Sequence, residues 1–142
     1  MRVQVKKGYI LVVSRTLVYL CGWYSGHAKL AKGAAFYPFI FVQSEELILP
    51  WLIIHERIHF RQQLETLIIG SFLITWSERL YARLVLKKNR FEAYLWSSSE
   101  QEAYRNMHDD TYLEKRKCWA QFRYIKNKKK ITFSGPGKII LE

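Results

Sequence analysis

Apolar positions fall into two kinds of run along this chain. Up to residue 43 they form short β-branched and aromatic clusters, and from residue 50 they lengthen into stretches broken by polar side chains. Residues 3–5 and 9–13 bracket Lys6-Lys7-Gly8, which predicts strand, turn and strand. Residues 12–24 fit a helix as well as a strand, because the period does not separate the two. A loop is expected over 26–33, carrying Lys29, Lys32 and a surface His27. Residues 35–43, from Ala35 to Gln43, have the strongest strand pattern in the chain. Pro38 inside that run cannot donate to a ladder, so the strand should lie at a sheet edge, where an extended peptide could be laid beside it.

Pro50 suits the first turn of a helix, and Glu45 and Glu46 precede it where negative charge favours the positive helix end. The helix should run from Trp51 towards Leu73, with a kink or break at Gly70-Ser71. A second amphipathic helix is expected over 75–88, with Arg79, Arg83, Lys87 and Lys88 at helical spacing, and then a connection over 89–96. Ser97-Ser98-Ser99-Glu100-Gln101-Glu102 has the offsets of a capping box, pairing Ser97 with Glu100 or Ser99 with Glu102. Asp109-Asp110 should end that helix, with Asp110 capping the next, whose apolar side chains Tyr112, Leu113, Trp119, Phe122 and Ile125 share a face. Residues 126–142 read as a basic tail with a turn at 134–137. With no internal repeat, these pieces predict a single α+β domain over 1–142, a small antiparallel sheet or hairpin packed on three or four helices.

Composition narrows this picture. A length of 142 residues suffices for a real core, and 49% hydrophobic content argues against disorder. The net charge of +11 is unevenly spread. Residues 1–44 hold six basic side chains and no acidic one, 45–114 hold eleven acidic and eight basic, and 115–142 hold nine basic and one acidic. Cationic flanks suit an acidic partner such as an anionic membrane surface or, less well, a nucleic acid, for which no recognised signature is present. Cys21 and Cys118 form no C-x-x-C pair and read as core thiols in a reducing, cytoplasmic compartment. Residues 9–20 are interrupted by Arg15, and 67–76 are too short to span a bilayer, so no signal peptide or membrane span is expected, only peripheral membrane contact.

The chemistry lies in His55-Glu56-Arg57-Ile58-His59. Two histidines four apart stand one above the other on a helix, where one metal ion can take both imidazoles. Glu56 is about 100° round the helix from His55, placed to act on a metal-held water without ligating the ion. A third ligand must then come from a later helix, and Glu100 and Glu102 are the candidates. Two residues apart is about 200° of rotation, so they cannot both face the metal.

The motif is the H-E-x-x-H pattern of zinc metallopeptidases. The metzincin branch is excluded, because its third histidine and glycine positions hold Glu65 and Gln62 here. His55-Glu56-x-x-His59 followed by Glu100-x-x-Ala103 resembles the gluzincin pattern H-E-x-x-H … E-x-x-A-D. The longer string His-Glu-Arg-Ile-His-x-Arg-Gln-Gln is similar to small uncharacterised bacterial proteins assigned to that class by motif. The resemblance covers two short helices and implies a minimal zincin-like domain. It implies Zn²⁺ held by His55, His59 and Glu100, with Glu102 as a cap or supporting group and Glu56 as general base in the hydrolysis of a peptide or other amide. Tyr104 stands where gluzincins have an aspartate that orients a ligand histidine, and Gln62 or Gln63 could take that part. Tyr104, Arg105 and His108 are candidates to stabilise an oxyanion. The competing expectations are a basic binding module without catalysis and a metal-binding but inactive relative of the peptidases.

Overall fold

A computed structural model describes residues 1–25 and 32–142; the expected loop and the surface His27 lie outside these residues apart from Lys32 and Gly33. The fold is α+β. The two N-terminal runs form the antiparallel hairpin β1 (Arg2–Lys6) and β2 (Tyr9–Val13), and the ambiguous stretch after them is the helix α1 (Arg15–Ser25). Residues 35–43 are not one strand. They belong to a hairpin of β3 (Gly33–Phe36) and β4 (Phe39–Val42), with Pro38 in the turn after a cis peptide bond. The sheet order is β1-β2-β4-β3, and β2 runs parallel to β4, so the sheet is mixed rather than antiparallel. The edge strands are therefore β1 and β3, with β3 the one at the motif helix, while Phe39–Val42 is internal.

Helix α2 (Pro50–Glu65) begins with Pro50 in its first turn, as expected, and carries the His-Glu motif across the sheet. Leu52 and Phe60 of α2 pack with Leu11, Ile40 and Val42 of β2 and β4 in the main core. The helix breaks at 66–68 rather than at Gly70-Ser71, where Leu67 and Ile68 take positive φ of 55° and 60°. That backbone region is unfavourable for the β-branched Ile68, and the junction is a sharp turn and not a gentle kink. Helix α3 (Ile69–Leu84) returns along the molecule. The expected connection over 89–96 is a helix, α4 (Arg90–Trp96), opened by Asn89, which caps Glu92 N–H while Glu92 caps Asn89 N–H.

Helix α5 (Ser98–Asn106) follows without a side-chain cap. The capping boxes expected of Ser97 and Ser99 do not form: Ser97 Oγ donates to Tyr94 O, Ser99 Oγ contacts Thr75, and both glutamates point into the protein. Asp109, not Asp110, engages the next turn through Thr111. Two short helices, α6 (Tyr112–Lys115) and α7 (Arg123–Lys126), replace the single expected helix, and Trp119 and Phe122 are exposed rather than core. The basic tail is a hairpin, β5 (Ile131–Gly135) and β6 (Lys138–Leu141), whose Ile131 packs with Tyr94 and Leu95. Among the described residues there are thus seven α-helices, more than expected, and no helix long and apolar enough to cross a membrane. Cys21 is half-buried and Cys118 exposed, so the second is not a core thiol.

Candidate metal centre

His55 and His59 occupy successive turns of α2, and their Nε2 atoms lie 3.2 Å apart. Helix α5 packs on α2 and delivers Glu100, whose Oε2 is 3.3 Å from His55 Nε2 and 3.5 Å from His59 Nε2. That oxygen is buried and makes no hydrogen bond. Without an ion, the adjacent His59 imidazolium offsets its charge; an ion held between the three side chains would take its lone pair directly. A tetrahedral ion with bonds of about 2.1 Å keeps its ligands about 3.4 Å apart, the spacing found in this triangle. The three side chains form a buried group that can hold a metal ion. The other carboxylate oxygen, Oε1, is turned towards Arg79 of α3, with Nη2 at 3.6 Å.

A second set of buried groups orients His59. Its Nδ1 is 2.8 Å from Gln62 Oε1. Gln62 Nε2 donates to Ser99 O at 3.1 Å and to Glu102 Oε2 at 2.9 Å, both of which can only accept. The amide orientation is fixed by those two acceptors, so its oxygen must face the imidazole, and His59 donates from Nδ1. In the neutral imidazole the Nε2 lone pair then faces Glu100 and His55, as ligation requires. Glu102 is fully buried, held by Arg116 and by the Tyr112 hydroxyl at 2.9 Å. It thus anchors Gln62 of α2 and lies outside the group formed by His55, His59 and Glu100. Gln63 serves elsewhere, receiving Tyr37 N–H at 2.8 Å and donating to Ala35 O at 3.0 Å, which ties the β3–β4 hairpin to α2.

Protonation follows from burial set against neighbouring charge. Burial pushes the His59 imidazole down, but the Glu100 carboxylate beside it outweighs that and raises it to about 9. Burial pushes Glu100 up, yet His59 and His55 hold it well below the usual carboxylate range. Glu56 behaves differently. Its burial raises it, the two imidazoles lower it and Glu100 raises it again, with a net upward shift. A carboxyl lifted towards neutrality is a better proton acceptor for work at ordinary pH. Glu56 lies against the edge strand: a Cβ on Gly33 would stand 2.7 Å from Glu56 Oε1, so only glycine lets β3 approach it this closely.

The three residues considered for an oxyanion separate in space. Tyr104 stacks edge-on against His55, ring centroids 4.5 Å apart, and its hydroxyl is 3.3 Å from that of Tyr94. Burial, followed by the Glu100 charge, raises both phenols, so they stay neutral and able to donate. His108 is drawn away: its Nε2 lies 2.6 Å from Gly137 O, and its ring lies near Trp51. Arg105 donates to Asn127 O at 2.9 Å and covers the Tyr124 ring. A cleft of about 460 Å³ opens over His55 and Glu56 between Lys32-Gly33 at the start of the edge strand and Gly135-Pro136-Gly137 of the C-terminal hairpin. Its floor and walls include Trp51, Phe91, Tyr94, Tyr104 and Phe133.

Comparison of the chain with protein-family models, with curated proteins and with solved structures returns no match.

Three site residues were not singled out by sequence reasoning. Arg79 looked like one of several cations at helical spacing, and no local pattern marks it as the one turned inward. Tyr94 and Phe133 lay in stretches read as a connection and a tail. The Asn89-x-x-Glu92 capping offset was a signal for a helix carrying Tyr94, and it was legible.

Two outcomes test this geometry. Gln62→Leu should weaken divalent-ion affinity by about 10–100-fold, because His59 loses the partner that fixes its tautomer. His108→Ala should leave that affinity unchanged; competition with a chromophoric chelator reads both. The second concerns pH. Since Glu100 raises His59 to about 9 in the ion-free protein, a proton must leave before an ion can bind below that pH. Apparent affinity should therefore climb as pH rises, by up to about tenfold per pH unit, and level off near pH 9.

Proposed function

We propose that this protein is a zinc-dependent hydrolase of the gluzincin-like kind, acting on a peptide or similar amide. The observation that carries the reading is the convergence of His55, His59 and Glu100 beneath an open cleft, with the buried Glu56 carboxyl beside them. Two imidazoles and one carboxylate are the donor set of catalytic rather than structural zinc sites, which leave a coordination position open. When bound there, Zn²⁺ would polarise a carbonyl and acidify water towards a pKa of about 7.

The chain's own groups supply the remaining chemistry. Glu56, raised by its burial, accepts the proton of the attacking water and passes it to the leaving amine. The neutral Tyr104 hydroxyl lies in the cleft beside His55, and with Tyr94 donating to it, its own proton can go to a developing oxyanion. Lys32 O accepts from Gln43 N–H, so by alternation Gly33 and Ala35 turn their backbone groups away from β4. Ala35 O is taken by Gln63, which leaves the Gly33 end, at the cleft, for a substrate backbone to pair with. The aromatic walls favour a substrate with an apolar side chain next to the bond cleaved.

The test is a fluorogenic peptide library presented to the zinc-loaded protein and to Glu56→Gln. The variant should keep stoichiometric zinc and lose about 10²–10⁴-fold in kcat. Zinc bound with no turnover by the unaltered chain would instead mark an inactive relative of the peptidases.

A further inference from the structure

Helix α3 buries just Ser71 and Ala82 among its described side chains. Ile69, Leu73, Trp76, Leu80 and Leu84 recur at intervals of four, three, four and four, which puts them in one stripe along the helix. All five are exposed, Ile69 by 71% and Leu73 and Leu84 by 61% each. At about 1.5 Å per residue the stripe is roughly 20 Å or more long. Phe72 stacks on Phe36 of β3, centroids 6.1 Å apart, so the apolar surface continues onto the edge strand. A soluble surface rarely leaves so much contiguous apolar area without a partner.

Charge on the same segment indicates what that partner is. Between Ile69 and Arg90 the one carboxylate is Glu78, and it is turned inward, accepting from Ser98 and paired with Lys128. Arg79 is also turned inward, to Glu100. Arg83, Lys87, Lys88 and Arg90 remain at the C-terminal end of the stripe, the first two and the last of them exposed. An apolar stripe running into cations with no outward carboxylate complements an anionic lipid surface, where acyl chains take the leucines and headgroups take the lysines. Trp76 and Tyr81 bring amphipathic rings suited to the headgroup level. A second copy of the chain fits less well, since this segment offers its cations no outward carboxylate to meet.

We propose that the outer face of α3 seats the protein on an anionic bilayer, with the helix lying in the plane of the interface. The proposal stands on this face alone and does not depend on the hydrolase reading. It is tested with the full chain by co-sedimentation with phosphatidylcholine vesicles, with and without phosphatidylglycerol. The unaltered protein should bind the anionic vesicles at low salt and bind the neutral ones far less. Lys87→Ala with Lys88→Ala should weaken anionic binding by about 30-fold, roughly fivefold per cation. Leu73→Glu with Leu80→Glu should abolish it while circular dichroism and thermal unfolding show the fold retained. Equal binding to both vesicle types, binding to neither, or binding that survives the Leu73→Glu and Leu80→Glu pair overturns the proposal. So does a protein that is dimeric in solution and becomes monomeric in that pair, since the face then belongs to a second copy.

Discussion

Glu56, Glu100, His55 and His59 are packed together in the interior of a small protein, and removing this much potential charge from water is expensive. Much of the helical architecture offsets that cost. Arg79 comes from α3 to one oxygen of Glu100, and the two imidazoles face the other. Behind His59, Gln62 leads to Glu102, and Arg116 joins Glu102 to Glu65 on α2. Glu102 and Arg116 are almost wholly buried, so removing Arg116 would leave the Glu102 carboxylate uncompensated at a cost of roughly 3–5 kcal/mol, whereas Arg116 without Glu102 keeps Glu65. The relay carries a carboxylate's influence to the His59 imidazole through an amide. Tyr104 faces the cleft.

The cleft is assembled from both ends of the chain. Gly33 near one end makes room for Glu56, and the hairpin at the other end brings Phe133 and the Gly135-Pro136-Gly137 turn over the same space. Gly137 is held by contact as well as by conformation: its φ is 70°, and a Cβ there would lie 2.6 Å from the Trp51 ring. His108 adds a bond to its carbonyl. The first turn of the motif helix and the C-terminal hairpin are thus locked to each other, which gives a structural use to a segment that composition alone marks as a charged tail.

The motif helix was legible because its signals are local: Pro50 at the start, histidines at a spacing of four, an apolar run around them. The N-terminal hairpin was legible for the same reason, with Lys6-Lys7-Gly8 as its turn. Pairing between distant segments was not. Nothing in residues 35–43 distinguishes a single strand with an inserted proline from a hairpin that turns at Pro38. The parallel pairing of β2 with β4 depends on where α1 leads the chain. Helical rotation keeps Glu100 and Glu102 from sharing one site, but which of them meets the two histidines is decided by tertiary contacts, Arg79 on one side and Arg116 on the other. The inward turn of Glu78, which leaves the outer face of α3 without negative charge, depends on Lys128 some fifty residues away.

Anomalous diffraction at the zinc edge from crystals of the zinc-loaded protein tests most directly whether His55, His59 and Glu100 share one ion. The expected result is a single strong peak about 2.0–2.2 Å from His55 Nε2, His59 Nε2 and a Glu100 oxygen, with Glu102 still bound to Arg116. No peak among these three residues, or a zinc ion ligated by Glu102 in place of Glu100, would contradict it.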